Sequence, residues 1–357
     1  MSEWQQPNHL FQRDVDEVDA IINHAILEEA SDIHFEPFEN NYRIRHRQDG
    51  ILQLLANKPT NIAQKIIIRL KIMAELDIAE KRLPQDGRFN FTAANASTWD
   101  IRVSTCPMFY GEKMVLRLLN LKTSHFDLGA LGLSVVQQDI FSEALSHPQG
   151  LILITGPTGS GKTMTLYTAL DIINTLEKNT ATIEDPIEIL MPGINQINIH
   201  PQIGLTFSHA LRALLRQDPD VIMVGEIRDE ETAQMAIKAA QTGHLVLATL
   251  HTSSAVEAIH RLQNLGIKPH DVANTTKLII AQRLVRRLQG RGRVGLFELL
   301  PISPAIKQSI LEQQTLENIL KIALKQGMMT MKKSGLMHVQ AGLTSMDEIQ
   351  RLKLAAS

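Results

Sequence analysis

Residues 151–163 read LILITGPTGSGKT. The apolar run Leu151–Ile154 makes a short buried strand, and the residues after Thr163 continue with a helical spacing over 163–175. Between them Gly156, Pro157, Thr158, Gly159, Ser160, Gly161, Lys162 and Thr163 match G-x-x-x-x-G-K-[ST]. Glycines let the backbone bend so that several N–H groups converge on phosphate oxygens. The following helix presents its positive N-terminus to the same anion. Lys162 places a point charge near the β- and γ-phosphates, and the Thr163 hydroxyl is the expected Mg²⁺ ligand. A random chain of this length would match about once in a hundred, and would lack the strand before and the helix after. The stretch therefore reads as a nucleotide-phosphate site.

Working outward, strands and helices alternate. Ala181–Glu184, Val221–Val224 and Leu245–Leu250 are strand-like, whereas 137–146, 206–217, 230–241 and 255–264 are helix-like. This alternation predicts a parallel sheet covered by helices on both faces. Such a site needs acidic groups on neighbouring strands to hold Mg²⁺ or polarise water. Glu226, just beyond Val224, suits the first role, together with Thr163 as metal ligands. Glu184, Asp185 and Glu188 form a second carboxylate cluster. Strand-end caps or surface ion pairs are the plainer reading of each, but both follow one phosphate loop. His244 and His251 bracket the strand Leu245–Leu250. His251 stands at the end where ligands bind in such sheets and can donate to a γ-phosphate. A structural role is equally open, and more so for His244.

The rest of the chain frames this core. Residues 14–30 have a helical apolar period, Asp32–Phe35 and Tyr42–Arg47 alternate as strands, and 61–79 read as a helix. Arg88–Thr92 and Trp99–Val103 are strand-like. The expected organisation is an α+β domain over 1–120, a linker over 121–135, the ATPase core over 136–300 and a helical subdomain over 301–357. Arg283, Arg286, Arg287, Arg291 and Arg293 read as a helix face at a subunit interface, and Met328, Met329, Met331, Met337 and Met346 as core filler. Arg212 and Arg216, one helical turn apart, either line the nucleotide or are solvated.

Bulk properties exclude several classes. The net charge is −2 over 357 residues, so no global positive field draws the chain to nucleic acid, and no direct nucleic-acid partner is expected. Cys106 is the single cysteine, which excludes an intrachain disulfide and a cysteine-based zinc site. No apolar stretch approaches the roughly 20 residues needed to span a bilayer, and residues 1–18 do not read as a secretory signal.

The blocks TGPTGSGKT (155–163), TIEDPIE (182–188), GLTFSHALRALLRQDPDVIMVGEIRDEETA (204–233) and TGHLVLATLHT (242–252) together resemble the type II secretion and type IV pilus assembly ATPases. ASDIHFEP (30–37), LDIAEKRLPQDGR (76–88) and IRVST (101–105) resemble the same group. The resemblance implies an α/β chain: a small PAS-like α+β domain, then a RecA-like P-loop NTPase domain with a helical C-terminal end. It implies ATP and Mg²⁺ as ligands and ATP hydrolysis as the reaction. Glu184, Asp185 and Glu188 become an "Asp box" that activates water, Glu226 the Walker B acid, and His244 and His251 a "His box". Arg88 and Arg102 become arginine fingers, although the residues alone read as exposed strand arginines. A ring, usually a hexamer, is implied, as are a cytoplasmic location and recruitment to the inner membrane by a platform protein.

The sequence departs from that group twice. Its members usually carry a four-cysteine zinc module after AQRLVRRL, whereas here 281–288 runs directly into QGRGRVGLFELLP, so no zinc is expected. The extra N-terminal domain that docks on a membrane partner is also expected to be missing. The RLPQDGR and ASDIHFEP blocks favour an assembly motor over a retraction motor. A regulator that binds nucleotide without hydrolysis is the alternative from another class.

Overall fold

The computed structural model describes residues 17–120, 127–290 and 292–352, in two compact units divided at Ser124/His125. In the N-terminal unit, helix α1 (Glu17–Leu27) precedes strands β1 (Asp32–Pro37), β2 (Asn41–Gln48) and β3 (Ile51–Pro59). Helix α2 (Thr60–Met73) leads to β4 (Gln85–Thr92), β5 (Thr98–Met108) and β6 (Gly111–Asn120). The strands form an antiparallel sheet in the order β3-β2-β1-β6-β5-β4. Asp49 (φ 48°) and Gly50 (φ 83°) make the two-residue turn that pairs Gln48 with Ile51. Left-handed φ at both positions is the hairpin geometry whose twist matches its strands. Alternate residues Ile33, Phe35, Ile44, Ile101, Val103, Met114 and Leu116 are buried in one core with Ile21, Ile22, Ile66 and Leu70 of the helices.

Helix α2 ends six residues before the sequence pattern suggests, because Glu75 (φ 56°) turns the chain left-handed and the Leu76 N–H bonds back to Lys71 O at 2.8 Å. Lys71 holds the segment that follows. Its ammonium is buried, 2.6 Å from Glu112 Oε1, and donates to the carbonyls of Asp77 (3.2 Å) and Glu80 (2.7 Å). A buried cation must be compensated, and Glu112 with these two carbonyls does so.

His46 on β2 is also buried, with no hydrogen-bond partner for its ring. Burial, and then the neighbouring His24, lower its pKa, with Glu28 opposing. Folding therefore favours the neutral ring, while the unfolded chain takes up a proton below about pH 6.5. The unfolded state then binds more protons, so stability falls with falling pH. We expect the thermal midpoint to drop between pH 7 and pH 5.5 in wild type and to drop less in His46→Leu. Equal slopes in the two proteins, read by calorimetry, would refute this account.

The second unit opens with α3 (Leu128–Leu131), α4 (Val135–Leu145) and β7 (Gly150–Thr155). It continues through α5 (Lys162–Ile173), β8 (Thr180–Glu184), β9 (Asn195–Asn198), α6 (Phe207–Leu214), β10 (Val221–Val224), α7 (Glu230–Gln241), β11 (Leu245–Leu250), α8 (Ala255–Asn264) and α9 (Pro269–Thr275). The last elements are β12 (Thr276–Arg286), β13 (Arg293–Pro301), α10 (Pro304–Leu311), α11 (Leu316–Lys325), α12 (Met331–Gln340) and α13 (Met346–Arg351). The sheet order is β13-β12-β7-β11-β10-β8-β9, parallel except for the β12–β13 pair. Strand β7 shows why helices cover both faces. Leu151 and Leu153 enter a core with α6, α7 and α8, whereas Ile152 and Ile154 enter another with Phe141 of α4 and Leu166 of α5.

One expectation needs correction, and two regions gain detail. Within the proposed linker, residues 121–126 lie outside the described residues, but Leu128–Leu131 is a helix. Asp127 caps it, and Leu128 and Leu133 are buried in the second core. The arginine-rich stretch 283–293 is no helix face: Arg283 and Arg286 belong to β12, and Arg287 turns toward β13 through its N–H on Gly292 O. Arg291 lies outside the described residues. Helices α10–α13, over the expected helical subdomain, share a core with α6, α7 and α8 through Ile306, Ile319, Met331 and Ile349. Of the methionines, Met331 is buried, but Met337 and Met346 are exposed.

Candidate nucleotide site

The parallel strands aim their carboxyl ends at one edge of the sheet. Thr155 closes β7 beside Leu250 of β11, so the phosphate loop starts where the His251 loop starts. Gly156 (φ 156°) admits no side chain: a Cβ would stand 2.5 Å from Gln282 O and Ser160 Oγ. Gly161 (φ 87°) precedes α5 with no side-chain cap, which leaves the first N–H groups of α5 for an anion. Ser160 Oγ is buried without a protein partner, a spare donor inside the loop. Lys162 curls over the loop and donates to Gly156 O (2.8 Å) and Pro157 O (3.1 Å). Burial pulls its ammonium below the usual lysine value, with Glu226 opposing. Thr163 follows on the first turn, half-buried.

The uncapped helix, Ser160 and Lys162 fit a polyphosphate. Thr163 and Glu226 are single oxygen ligands, and no cluster of three His, Cys, Asp or Glu among the described residues could hold a metal unaided. That donor set suits a Mg²⁺ ion carried by the phosphates.

Glu184 ends β8 buried and saturated. Tyr167 Oη donates to Oε2 (2.5 Å), while Thr182 Oγ1 (2.6 Å) and Gln196 Nε2 (3.0 Å) donate to Oε1. Burial and the adjacent carboxylate push the Tyr167 hydroxyl far above its usual pKa, so it stays a donor. Tyr167 Oη also accepts from the N–H groups of Glu188 (3.2 Å) and Ile189 (3.3 Å). Glu184 therefore anchors the segment that bears Asp185 and half-buried Glu188.

Glu226, two residues beyond β10, is mostly buried. Arg228 forms an ion pair with it and lies 3.8 Å from Asp185. His251 Nε2 is 3.4 Å from Glu226 Oε2. The phosphate loop, Glu184, Asp185, Glu226 and His251 are thus on one edge. His244 is not: it precedes β11 at the opposite end, with Nδ1 3.0 Å from Ala239 O. Arg88 and Arg102 face each other across β4 and β5 of the N-terminal unit, and Arg102 lies 3.9 Å from Asp100. Arg212 is exposed and pairs with Glu231 at 3.1 Å, while Arg216 donates to Arg212 O.

Sequence reasoning missed Arg228, Tyr167 and a stitch of threonines. Thr155 Oγ1 meets the Thr252 hydroxyl (2.7 Å) and N–H (2.8 Å), and Thr249 Oγ1 donates to Gly225 O (2.6 Å). Only Arg228, two positions from Glu226, carried a local signal; the others are tertiary contacts.

Residues 12–291 match the model of the family described as Type II/IV secretion system protein. The type IV pilus assembly ATPase PilB of Acinetobacter baylyi is 44% identical, over 94% of this chain and 65% of its own length. This chain thus spans just under two thirds of that relative. The protein transport protein HofB homolog of Escherichia coli K12 is 46% identical, over 92% of this chain and 79% of its own. Among solved structures, the pilus retraction motor PilT with bound ADP superposes with a TM-score of 0.70 at 30% identity, covering 95% of this chain and 97% of that one. No described helix is long and apolar enough to cross a membrane.

Proposed function

This chain belongs to the type II/IV secretion system protein family, and on that premise we propose that it is an ATP-hydrolysing motor that drives assembly of a type IV pilus or a type II secretion pseudopilus. The observation that carries hydrolysis, rather than binding alone, is the placement of carboxylates beside the phosphate loop. Glu226 and Asp185 stand at the same strand ends as Lys162. Glu184 is committed to Tyr167, Thr182 and Gln196, which leaves Asp185, Glu188 and Glu226 to orient and polarise the attacking water. Lys162 and the α5 N-terminus stabilise the charge that spreads over the γ-phosphoryl oxygens. Mg²⁺, brought with the nucleotide and held by Thr163 and Glu226, would neutralise part of the same charge. His251 is assigned to the γ-phosphate side and His244 to a structural role. Arg88 and Arg102 are assigned the arginine-finger role.

The useful product is motion, because loss of the γ-phosphate shifts the population of conformations it favoured. We assign the chain to a hexameric ring at the cytoplasmic face of the inner membrane, held there by a platform protein. Identity of 44% to a type IV pilus assembly ATPase over 94% of this chain supports the assembly reading. The test is a gene deletion restored with wild type or Lys162→Ala, with surface filaments counted. Filaments lost on deletion and restored by wild type alone support assembly. Accumulation of filaments would hand the role to retraction. An unchanged count with failed export of folded proteins would select the secretion branch.

A further inference from the structure

Glu298 is a carboxylate that the proposed reaction does not use. It lies in the middle of β13 and is only 6% exposed. Its Oε1 accepts from the N–H of Ala255 (2.9 Å) and its Oε2 from the N–H of Met331 (3.2 Å). Those are the first residues of α8 and α12. One side chain therefore caps two helices whose first residues, Ala255 and Met331, are 76 positions apart in sequence. Burying a carboxylate is costly unless its lone pairs are met. Two positive helix ends meet them here. Burial still raises the carboxyl's pKa, and Glu257 adds to that, while the two N–H groups and Arg283 oppose it.

Helix α8 starts four residues after His251, and the intervening loop is tied at each step. Thr252 joins Thr155, the residue before Gly156, and its hydroxyl donates to Ser254 O at 2.9 Å. Arg283 Nη2 donates to Ser253 O at 3.1 Å. Ser254 is the N-cap of α8, accepting from the Glu257 N–H. Hydrogen bonds, joined through the Ser254–Ala255 peptide unit, thus connect the base of the phosphate loop to the first turn of α12.

We propose that Glu298 is a positioning residue of the nucleotide site, which ties the His251–Ser254 loop to the first turn of α12 so that loop and C-terminal helices order together. A neutral amide cannot do this. Glutamine offers one acceptor and turns an NH₂ against the other backbone N–H. The inference rests on reading the phosphate loop as an ATP site, and the experiment separates the two.

The experiment is hydrogen exchange on the full chain, with and without Mg²⁺ and a non-hydrolysable ATP analogue. In wild type, the analogue should slow exchange at 156–163, which tests the ATP site itself. It should also slow exchange at the first turn of α12 by about 5-fold. In Glu298→Gln, protection of 156–163 should persist while that of α12 disappears. The same variant should lower kcat about 10-fold with KM for ATP unchanged within about 2-fold. Protection of 156–163 without any change at α12 in wild type overturns the proposal. So does full α12 protection in Glu298→Gln. No protection at 156–163 sinks the ATP reading instead. Should Glu298→Gln fail to fold, Glu298→Asp, which keeps the charge but shortens the reach to the two N–H groups, takes its place: lost α12 protection supports the proposal and full α12 protection overturns it.

Discussion

Lys162→Ala should hydrolyse ATP at least about 100-fold more slowly than wild type, the scale of losing one preorganised charge at a transferring phosphoryl group. The reason lies in where the ammonium sits. It hangs over the loop on the carbonyls of Gly156 and Pro157, half-buried, with its pKa pulled down by burial. A partly desolvated cation has shed part of its water before the substrate arrives, so it meets the developing charge with little reorganisation. Stability should change far less. The side chain donates to two local carbonyls, and hydrogen bonds of that kind are worth about 1 kcal/mol each. A steady-state assay beside a thermal melt reads both quantities. A variant that keeps a tenth of the rate, or one that melts far below wild type, would contradict this account of Lys162.

Much of the parallel sheet was legible because strands buried on both faces write dense apolar runs. Residues 151–154, 221–224 and 245–250 are buried at every position. Strands with a different environment write a weaker signal. β3 is a half-exposed edge with no clean alternation, and β9 reads Asn-Gln-Ile-Asn. β12 was disguised by Gln282, a polar residue at 1% exposure in the strand interior. It is tolerated because Thr165, 117 positions earlier, donates to its side chain at 2.8 Å. A pattern read along the chain cannot register a partner that distant.

The site divides in the same way. The phosphate loop is one contiguous stretch, so the whole of it is legible in the sequence. Glu226 and the 184–188 cluster were visible as carboxylates at strand ends. What each carboxylate does depends on Tyr167, Gln196 and Arg228, which the fold alone brings in. The resemblance ranked Glu184, Asp185 and Glu188 together, whereas their surroundings separate them.

That separation yields the second large effect. Glu184→Ala should destabilise the protein by about 3 kcal/mol or more, while Glu226→Gln should leave stability nearly unchanged and lower kcat. Removing the Glu184 carboxylate strands three donors, on Tyr167, Thr182 and Gln196, around a group that is itself buried. Each buried donor left unpaired costs about 1–3 kcal/mol, with incomplete additivity because the three share one acceptor group. Tyr167 would also lose its hold on the N–H groups of Glu188 and Ile189, so the segment bearing Asp185 and Glu188 loosens. Glu226 differs in kind. Its partners are an exposed guanidinium and the half-exposed His251 ring, and a glutamine there can still accept a hydrogen bond. Because the guanidinium side of the pair stays in water, the pair itself contributes only about 0–1 kcal/mol, so what the Glu226→Gln variant chiefly lacks is the charge needed for metal and water. Denaturant melts and kcat on both variants decide the matter. If Glu184→Ala melts like wild type and merely loses turnover, Glu184 is the reacting carboxylate and its hydrogen bonds are incidental. If Glu226→Gln keeps full turnover, the Walker B assignment fails, and Asp185 or Glu188 must carry the water.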